Sequence, residues 1–311
     1  MLFRSLLALV RHDLVAAFRH PGFLVLIFIG AINAGGALWF ADEFYGTSTL
    51  PVTRVMIESL RGAFTIIPLL IAIYYAGELV WNSRDRRMNE IIDSTPAPDW
   101  AFAIPKMLAI SLVLASTLIA GVLVAIGMQL IKGYTNLEIE NYLLWYVLPN
   151  TIDATLIAIL AVFIQTLVPS KTMGWMVMIL ILVAQSALVP LGFEHPLYLY
   201  ASSPPEPLSD MNGQGDFAAH AAWFRAYWGA FALLLAVLAA TLWRRGTVDL
   251  LRVRVLRLRT RLVGPAGAIA SVAVIAIAGL GGWIYYNTNV LNEYRIRTDQ
   301  RQWAEIGRAH V

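Results

Sequence analysis

Seven stretches of mostly apolar residues, each about 20 residues long, limit what this 311-residue chain can fold into. Each is long enough for a helix to cross the roughly 30 Å hydrocarbon layer of a membrane. Inside lipid, backbone N–H and C=O groups must bond within the protein, which favours helices. Only 14% of the residues are charged, against about 25% in soluble domains. The sequence therefore predicts an all-α integral membrane protein with spans at residues 22–41, 62–81, 107–131, 142–168, 174–192, 223–243 and 265–285.

Residues 1–20 precede the first span and separate apolar from charged side chains at helical spacing. One face holds Phe3, Leu6, Leu7, Val10, Leu14 and Phe18. The other face holds Arg4, Arg11, His12 and Arg19. The pattern predicts an amphipathic helix that lies in the membrane interface and ends before Pro21.

The basic residues indicate the orientation of the chain in the membrane. Lys and Arg concentrate before Pro21 and in segments 84–106 and 244–261. Segment 193–222 has four acidic residues and no Lys or Arg. Because short cytoplasmic segments are enriched in Lys and Arg, we expect a cytoplasmic N-terminus and an extracytoplasmic C-terminus.

The segment after the second span is the most informative part of the sequence. It carries the basic run Arg84, Arg86 and Arg87, followed by apolar residues at the helical spacing of Met88, Ile91 and Ile92. The pattern predicts a short amphipathic helix parallel to the membrane, which ends before Pro96. Such a helix can dock a soluble partner, but an ordinary solvated loop would also carry these charges.

The same region resembles the ABC-2 permease family, in which an acidic residue ends the second span and a charged run, a coupling helix, a proline and a lysine follow. The matching residues are Glu78, Arg84, Arg86, Arg87, Glu90, Asp93, Pro96 and Lys106. The resemblance covers residues 1 to about 245 and implies that these residues couple the chain to an ATPase. It also implies a six-span permease domain at residues 21–245.

The resemblance to that family also implies which proteins the chain would bind. An ABC ATP-binding subunit on a separate chain would bind ATP and Mg²⁺, so this chain would need no cofactor of its own. A second six-span half would come from a homodimer or from a missing part of the same polypeptide. The expected location is the bacterial cytoplasmic (inner) membrane, in contact with membrane lipid.

A closer likeness is to bacterial proteins that fuse such a permease to an extracytoplasmic aminopeptidase of the aminopeptidase N family. The segments 78–81, 89–93 and 287–294 carry this likeness. It implies a basic linker at 246–264, a seventh span at 265–285 and, at 286–311, the stub of a truncated domain. Residues 305–311 resemble a translated sequencing adapter, and we expect them to be artefactual.

Two catalytic motifs are missing from the sequence. A P-loop requires Gly-Lys-Ser/Thr, but Pro105, Ile131 and Ser170 precede the three lysines. None of the five histidines begins the His-Glu-x-x-His motif of zinc peptidases, and there is no cysteine to bind a metal. We therefore expect that the chain is not an enzyme and holds no metal.

Ionisable residues inside spans are costly and are functional candidates. Asn150 and Asp153 share one helical face and are candidates for a substrate path. Alternatively, Pro149 begins the fourth helix and places Asp153 in its first turn, where an anion is favourable. Glu78 either braces the coupling helix or reaches the lipid headgroups.

A run of alternating apolar and basic residues lies before the seventh span. Its arginines spread around a helix axis and are expected to anchor anionic lipid headgroups. They are Arg252, Arg254, Arg257, Arg259 and Arg261. Nucleic acid is not an expected partner, because no aromatic residues alternate with these arginines.

Three functions fit the sequence. The first is the transmembrane permease of an ABC-type exporter, and its substrate is not indicated. The second is a passive anchor for an extracytoplasmic aminopeptidase that is absent from this fragment. The third is an ion-coupled secondary transporter, in which Asp153 would be essential.

Overall fold

The computed structural model describes residues 2–41, 43–44, 47–48, 50–64, 66–95, 97–209, 211–245 and 251–292. Within these residues the chain is helical apart from loops and one hairpin of two-residue strands, β1 (Glu43–Phe44) and β2 (Thr47–Ser48). The helices are α1 (Leu2–Arg19), α2 (Pro21–Trp39), α3 (Thr53–Ala63), α4 (Ile66–Asp85), α5 (Asn89–Asp93), α6 (Trp100–Ile131), α7 (Ile139–Tyr142), α8 (Leu148–Leu167), α9 (Lys171–Leu188), α10 (Phe217–Thr241), α11 (Leu251–Arg261) and α12 (Pro265–Tyr285).

Seven helices in the described part of the chain are long and apolar enough to cross a membrane. They are α2, α4, α6, α7 continued into α8, α9, α10 and α12. The prediction of an all-α, multi-pass membrane protein is therefore confirmed.

Four spans begin at residues clearly different from those predicted. The third begins at Trp100, ahead of the predicted 107, and the sixth at Phe217, ahead of the predicted 223. The second begins at Ile66 because Gly62 belongs to α3, a separate amphipathic helix that the apolar count merged with it. The fourth begins at Ile139, before the expected start, and passes through a π-helical turn at Leu143–Val147 into α8.

Four of the spans form the centre of the bundle. α6 and α8 pack against each other, and each of them packs against α4 and α10, whereas α9 contacts α4 and α8, and α12 contacts α10. Half or more of the apolar stretch is buried in α4 and α6, but only 11% in α9 and 17% in α12. In a membrane, lipid covers the exposed apolar sides of these outer helices.

Small residues let α9 lie close to the centre of the bundle. Gly77 of α4 faces the ring of Trp175, and Gly174 of α9 faces the amide of Gln165. That amide accepts a hydrogen bond from Trp81 Nε1 at 2.8 Å. Gln165 thus bonds between helices, as buried polar residues in membrane bundles commonly do.

The first helix is amphipathic, as predicted, but its buried face includes a charge. Val10, Asp13 and Ala17 are buried where α1 packs against α6 and α4. Tyr75 of α4 donates a hydrogen bond to the carbonyl of Ala17 at 3.1 Å. α1 is therefore held to the bundle by polar bonds as well as by apolar contact.

The two ends of the bundle differ in their charges. We call the end with α5, α11 and the first residues of α6 and α9 the basic end. The opposite end carries α3, α7 and the loop at 192–216. The candidate site residues lie at these two ends.

Candidate functional site

The turn between α4 and α5 reverses the chain at the basic end. Arg87 has a φ of 55°, in the left-handed region that glycine usually occupies at helix ends. The N–H of Met88 bonds to the carbonyl of Ser83, and that of Arg87 to the carbonyl of Arg84. These bonds close the last turn of α4 and fix the direction in which the chain enters α5.

The short helix predicted at residues 89–93 is present as α5. Its apolar residues do not share one buried face, because Ile91 is 70% exposed, whereas Met88 and Ile92 line a cavity and Met88 is still 46% exposed. Glu90 is also exposed. α5 therefore presents one apolar and one acidic side chain outward. Pro96, the expected stop, lies outside the described residues.

Arg245, just after α10, binds the chain that follows α5. Its guanidinium donates to the carbonyls of Asp93 at 3.0 Å, Thr95 at 2.5 Å and Ala97 at 2.8 Å. It also pairs with the carboxylate of Asp99 at 3.1 Å. Because Arg245 lies only four residues after the end of α10 at Thr241, these bonds couple α5 to the end of a central helix.

Sequence reasoning counted Arg245 only as a charge that sets the orientation. The guanidinium of Arg245 also lies over the ring of Phe102 in α6, 5.2 Å from the ring centre. The sequence did not predict this contact either. The only available signal was the place of Arg245 at the end of an apolar stretch.

Glu78 and Lys106 lie near the basic end, and each forms an ion pair with a residue outside α5. Lys106 pairs with Asp13 of α1 at 3.3 Å. Glu78 pairs with Lys171 of α9 at 3.1 Å, and Lys171 also pairs with Asp85 at 2.9 Å. Glu78 thus joins α4 to α9, which neither interpretation of this residue had anticipated.

The three arginines of the basic run differ in position. Arg84 is half-buried, whereas Arg86 and Arg87 are exposed. Arg84 and Arg86 line a cavity of about 500 Å³ that opens at the basic end between α1, α4, α5 and α6. The side chain of Asp93 also lines it. Four of the predicted coupling residues, Arg84, Arg86, Asp93 and Lys106, therefore line this cavity.

At the opposite end, charged residues bind one another across three elements. Arg225 of α10 forms two bonds with the carboxylate of Asp153, at 2.9 and 3.0 Å. It also pairs with Glu206 of the outer loop at 2.5 Å. Gln214 donates to the second oxygen of Glu206 at 2.8 Å. This network connects α8, α10 and the loop.

The structure corrects the interpretation in which Pro149 starts the fourth helix. The helix runs on from Ile139, so the N–H groups near Asp153 are not those of a helix end. Asp153 is instead stabilised by Arg225. The sequence missed this pairing because the partners are 72 positions apart.

Pro149 has a different consequence. Proline has no N–H, so it cannot donate to the carbonyl four residues earlier, which is that of Trp145. Arg61 of α3 donates to this carbonyl at 2.7 Å and to that of Glu206 at 2.8 Å. Burial lowers the pKa of Arg61, and the charge of Glu206 opposes that shift. Arginine nevertheless stays protonated.

Asn150 and Asp153 line a second, smaller cavity of about 140 Å³, together with Arg61 and Tyr146. Asn150 donates to the carbonyl of Tyr146 at 2.6 Å, a local bond along the same helix. The two candidate path residues do lie together. Their polar groups are, however, engaged in bonds within the protein.

Another polar contact joins the outer loop to the end of α12. His195 Nε2 lies 3.1 Å from the hydroxyl of Thr288, and its Nδ1 accepts from the N–H of Leu197. His195 is 6% exposed, and burial lowers its pKa. The neutral imidazole is thus the form that fits this contact.

The arginines expected to anchor lipid headgroups divide into two groups. Arg252, Arg257 and Arg259 are exposed on α11. Arg254 is buried and donates to the carbonyls of Thr166 and Leu242. Arg261 donates to the carbonyl of Thr241 and pairs with Asp99 at 2.9 Å. For Arg254 the prediction is wrong, because this side chain is buried against the bundle. Arg261 lies seven residues later on the same face but is partly exposed, so its contact with headgroups stays a prediction.

Comparison with known proteins does not assign the chain to a family. No protein-family model and no curated protein matches the chain. Among the described residues, no group of three or more His, Asp or Glu side chains is arranged to hold a metal ion.

Proposed function

We propose that the chain is the transmembrane permease of an ABC-type exporter, in which α5 is the docking helix for a separate ATP-binding subunit. The observation that carries the proposal is the attachment of α5. Its outer side presents Ile91 and Glu90, and the chain behind it is held by Arg245. A surface that is exposed and at the same time fixed to the bundle can transmit movement.

The connections of α5 define how such movement would spread. α4 leads directly into it through the Arg87 turn, and α6 follows it at Trp100. Arg245 adds the end of α10, and Arg261 of α11 binds Asp99 beside it. Displacement of α5 would therefore act on three central helices together, and ATP binding by the partner would favour one of two helix arrangements.

In this proposal the basic end faces the cytoplasm of a bacterium, and the chain is embedded in the cytoplasmic membrane. The basic end carries the Lys and Arg excess typical of cytoplasmic segments. Residues 21–245 would form one six-span half, and a second half would complete the transporter. Transport by ion coupling is less favoured, because Asp153 is held by two bonds to Arg225.

Cysteine crosslinking tests the docking surface directly. The chain has no cysteine, so Ile91→Cys gives a single thiol on α5. The matched control is Ile139→Cys, an isoleucine that is 55% exposed at the opposite end. Each variant is expressed with an ATP-binding cassette subunit encoded beside its gene, and a short bifunctional thiol reagent is added to the membranes.

We expect crosslinking to the ATP-binding subunit at Ile91→Cys and none at Ile139→Cys. Substituting Glu90 and Arg87 by alanine should abolish association of the subunit with the membranes. A passive anchor would give no crosslink at either position. Equal crosslinking at both positions would also contradict the proposal.

A further inference from the structure

The cavity at the basic end is lined by both apolar and charged residues. The apolar part of the lining, which we call the floor, includes Val80, Trp81, Phe102, Pro105 and Trp243. The polar part, which we call the rim, includes Asn82, Ser83 and Asn89 together with charged residues of α1, α4, α5, α6 and the turn between α4 and α5. With about 500 Å³ it is as large as many small-molecule sites.

The charges around this cavity favour an anion. The lining holds Arg84, Arg86, Lys106 and Arg244 but only two carboxylates, those of Asp13 and Asp93. Asp13 already pairs with Lys106 at 3.3 Å. The lining therefore carries more positive than negative side chains, and Arg244 among them also binds the carbonyl of Val168. Arginine presents several N–H donors in a plane, a geometry that suits phosphate.

The position of the cavity indicates an amphiphilic ligand. It lies where α4 ends and α6 begins, which is the headgroup level of a membrane-spanning bundle. Tryptophans such as Trp81 and Trp243 are typical of this level. A free phosphate would fill only part of the space and leave the aromatic floor against water.

We propose that this cavity binds the phosphate-bearing headgroup of one anionic phospholipid. Arg84 and Arg86 would contact the phosphate at the rim, and the aromatic floor would contact the glycerol backbone and the first methylenes. Because α1 and α5 both line the cavity, the headgroup would bridge them. The proposal does not depend on transport, since lipid binding is measured without an ATP-binding subunit.

Native mass spectrometry of the purified chain in detergent tests the site. Phosphatidylglycerol and phosphatidylcholine with identical acyl chains are titrated in parallel. The test variant is R84Q/R86Q, and R86Q alone serves as a milder variant because Arg86 is exposed. The control is R4Q/R11Q, which removes two exposed arginines of α1 that do not line the cavity.

We expect the first phosphatidylglycerol to bind about thirtyfold more tightly than phosphatidylcholine, given two arginines that each attract an anionic headgroup. R84Q/R86Q should abolish this preference, R86Q should reduce it, and R4Q/R11Q should retain it. An equal loss in the control would mean general surface charge and would overturn the proposal. Displacement of the lipid by inorganic phosphate or glycerol phosphate would identify a soluble ligand and would overturn it as well.

Discussion

Arg225 and Arg245, at the two ends of the bundle, join helices in different ways. At the opposite end, Arg225 binds the carboxylates of Asp153 and Glu206, so charged side chains join elements directly. At the basic end, Arg245 binds mainly backbone carbonyls of the chain after α5, beside an open cavity. The cavity beside the first arrangement has only about 140 Å³, whereas the one beside the second has about 500 Å³. We therefore call the opposite end the closed end. The difference indicates that the basic end is the one at which a ligand or partner gains access.

The largest effect is expected from breaking the closed end. Arg225→Gln would leave Glu206, which is 7% exposed, and Asp153 without their cation. Removing one partner of a buried ion pair costs about 3 kcal/mol or more. The free energy of unfolding in detergent, followed by circular dichroism, should fall accordingly.

The control for this variant is Arg54→Gln, because Arg54 pairs with the exposed Glu58. Exposed pairs contribute about 1 kcal/mol or less. Adding Asp153→Asn to Arg225→Gln should recover part of the loss. A similar loss in both single variants would contradict the view that this end is closed by buried charge.

Overpacking α9 at the basic end should have the next largest effect. A Cβ at Gly174 would lie 2.4 Å from the amide of Gln165, which Trp81 and the carbonyl of Lys171 hold in place. Gly174→Ala should therefore destabilise the protein by about 2 kcal/mol.

Gly127→Ala in α6 is the matched control, since a Cβ there meets nothing within 4 Å. It should be neutral or stabilise the helix by up to about 1 kcal/mol. Thermal unfolding of both variants measures the difference. Equal stability would show that the contact between α9 and α8 is loose.

Removing the bonds that hold α5 should lower the free energy of unfolding less than the two preceding changes. It should, however, make the backbone of α5 more accessible to hydrogen exchange. Arg245→Gln removes bonds to three carbonyls and the pair with Asp99, with an expected cost of about 1 to 2 kcal/mol. Hydrogen exchange at residues 89–95 should become faster, whereas exchange in α7 should not change. Arg257→Gln, on the exposed side of α11, should leave both unchanged. Unaltered exchange in Arg245→Gln would show that α5 is held by other contacts.

The smallest effect concerns pH at the opposite end. Burial lowers the pKa of His195, so the unfolded chain binds more protons than the folded chain below about pH 6.5, the ordinary value for histidine. This contribution to stability is complete above that pH and is lost as the pH falls toward the lowered pKa. The temperature at the midpoint of thermal unfolding should decrease when the pH is lowered from 7 to 5. His195→Gln should make this decrease smaller. If His195→Gln had the same pH dependence of stability, that dependence would come from other titratable groups.

The sequence predicted those features that depend on local pattern. Apolar length predicted seven spans, and the spacing of Met88, Ile91 and Ile92 predicted α5. It did not predict the bonds of Arg225 and Arg245, because their partners lie 72 and about 150 positions away and carbonyl acceptors have no sequence signature. Alternation likewise gave no sign that Arg254 is buried.

Pro149 gives the closed end a further property. By withholding a backbone donor inside α8, the proline leaves the carbonyl of Trp145 available to Arg61, which belongs to another helix. The two positions are thus linked through a main-chain oxygen rather than through touching side chains. A substitution that restored the N–H at position 149 would place a competing donor beside the group that Arg61 binds, and these sites would be expected to change together during evolution.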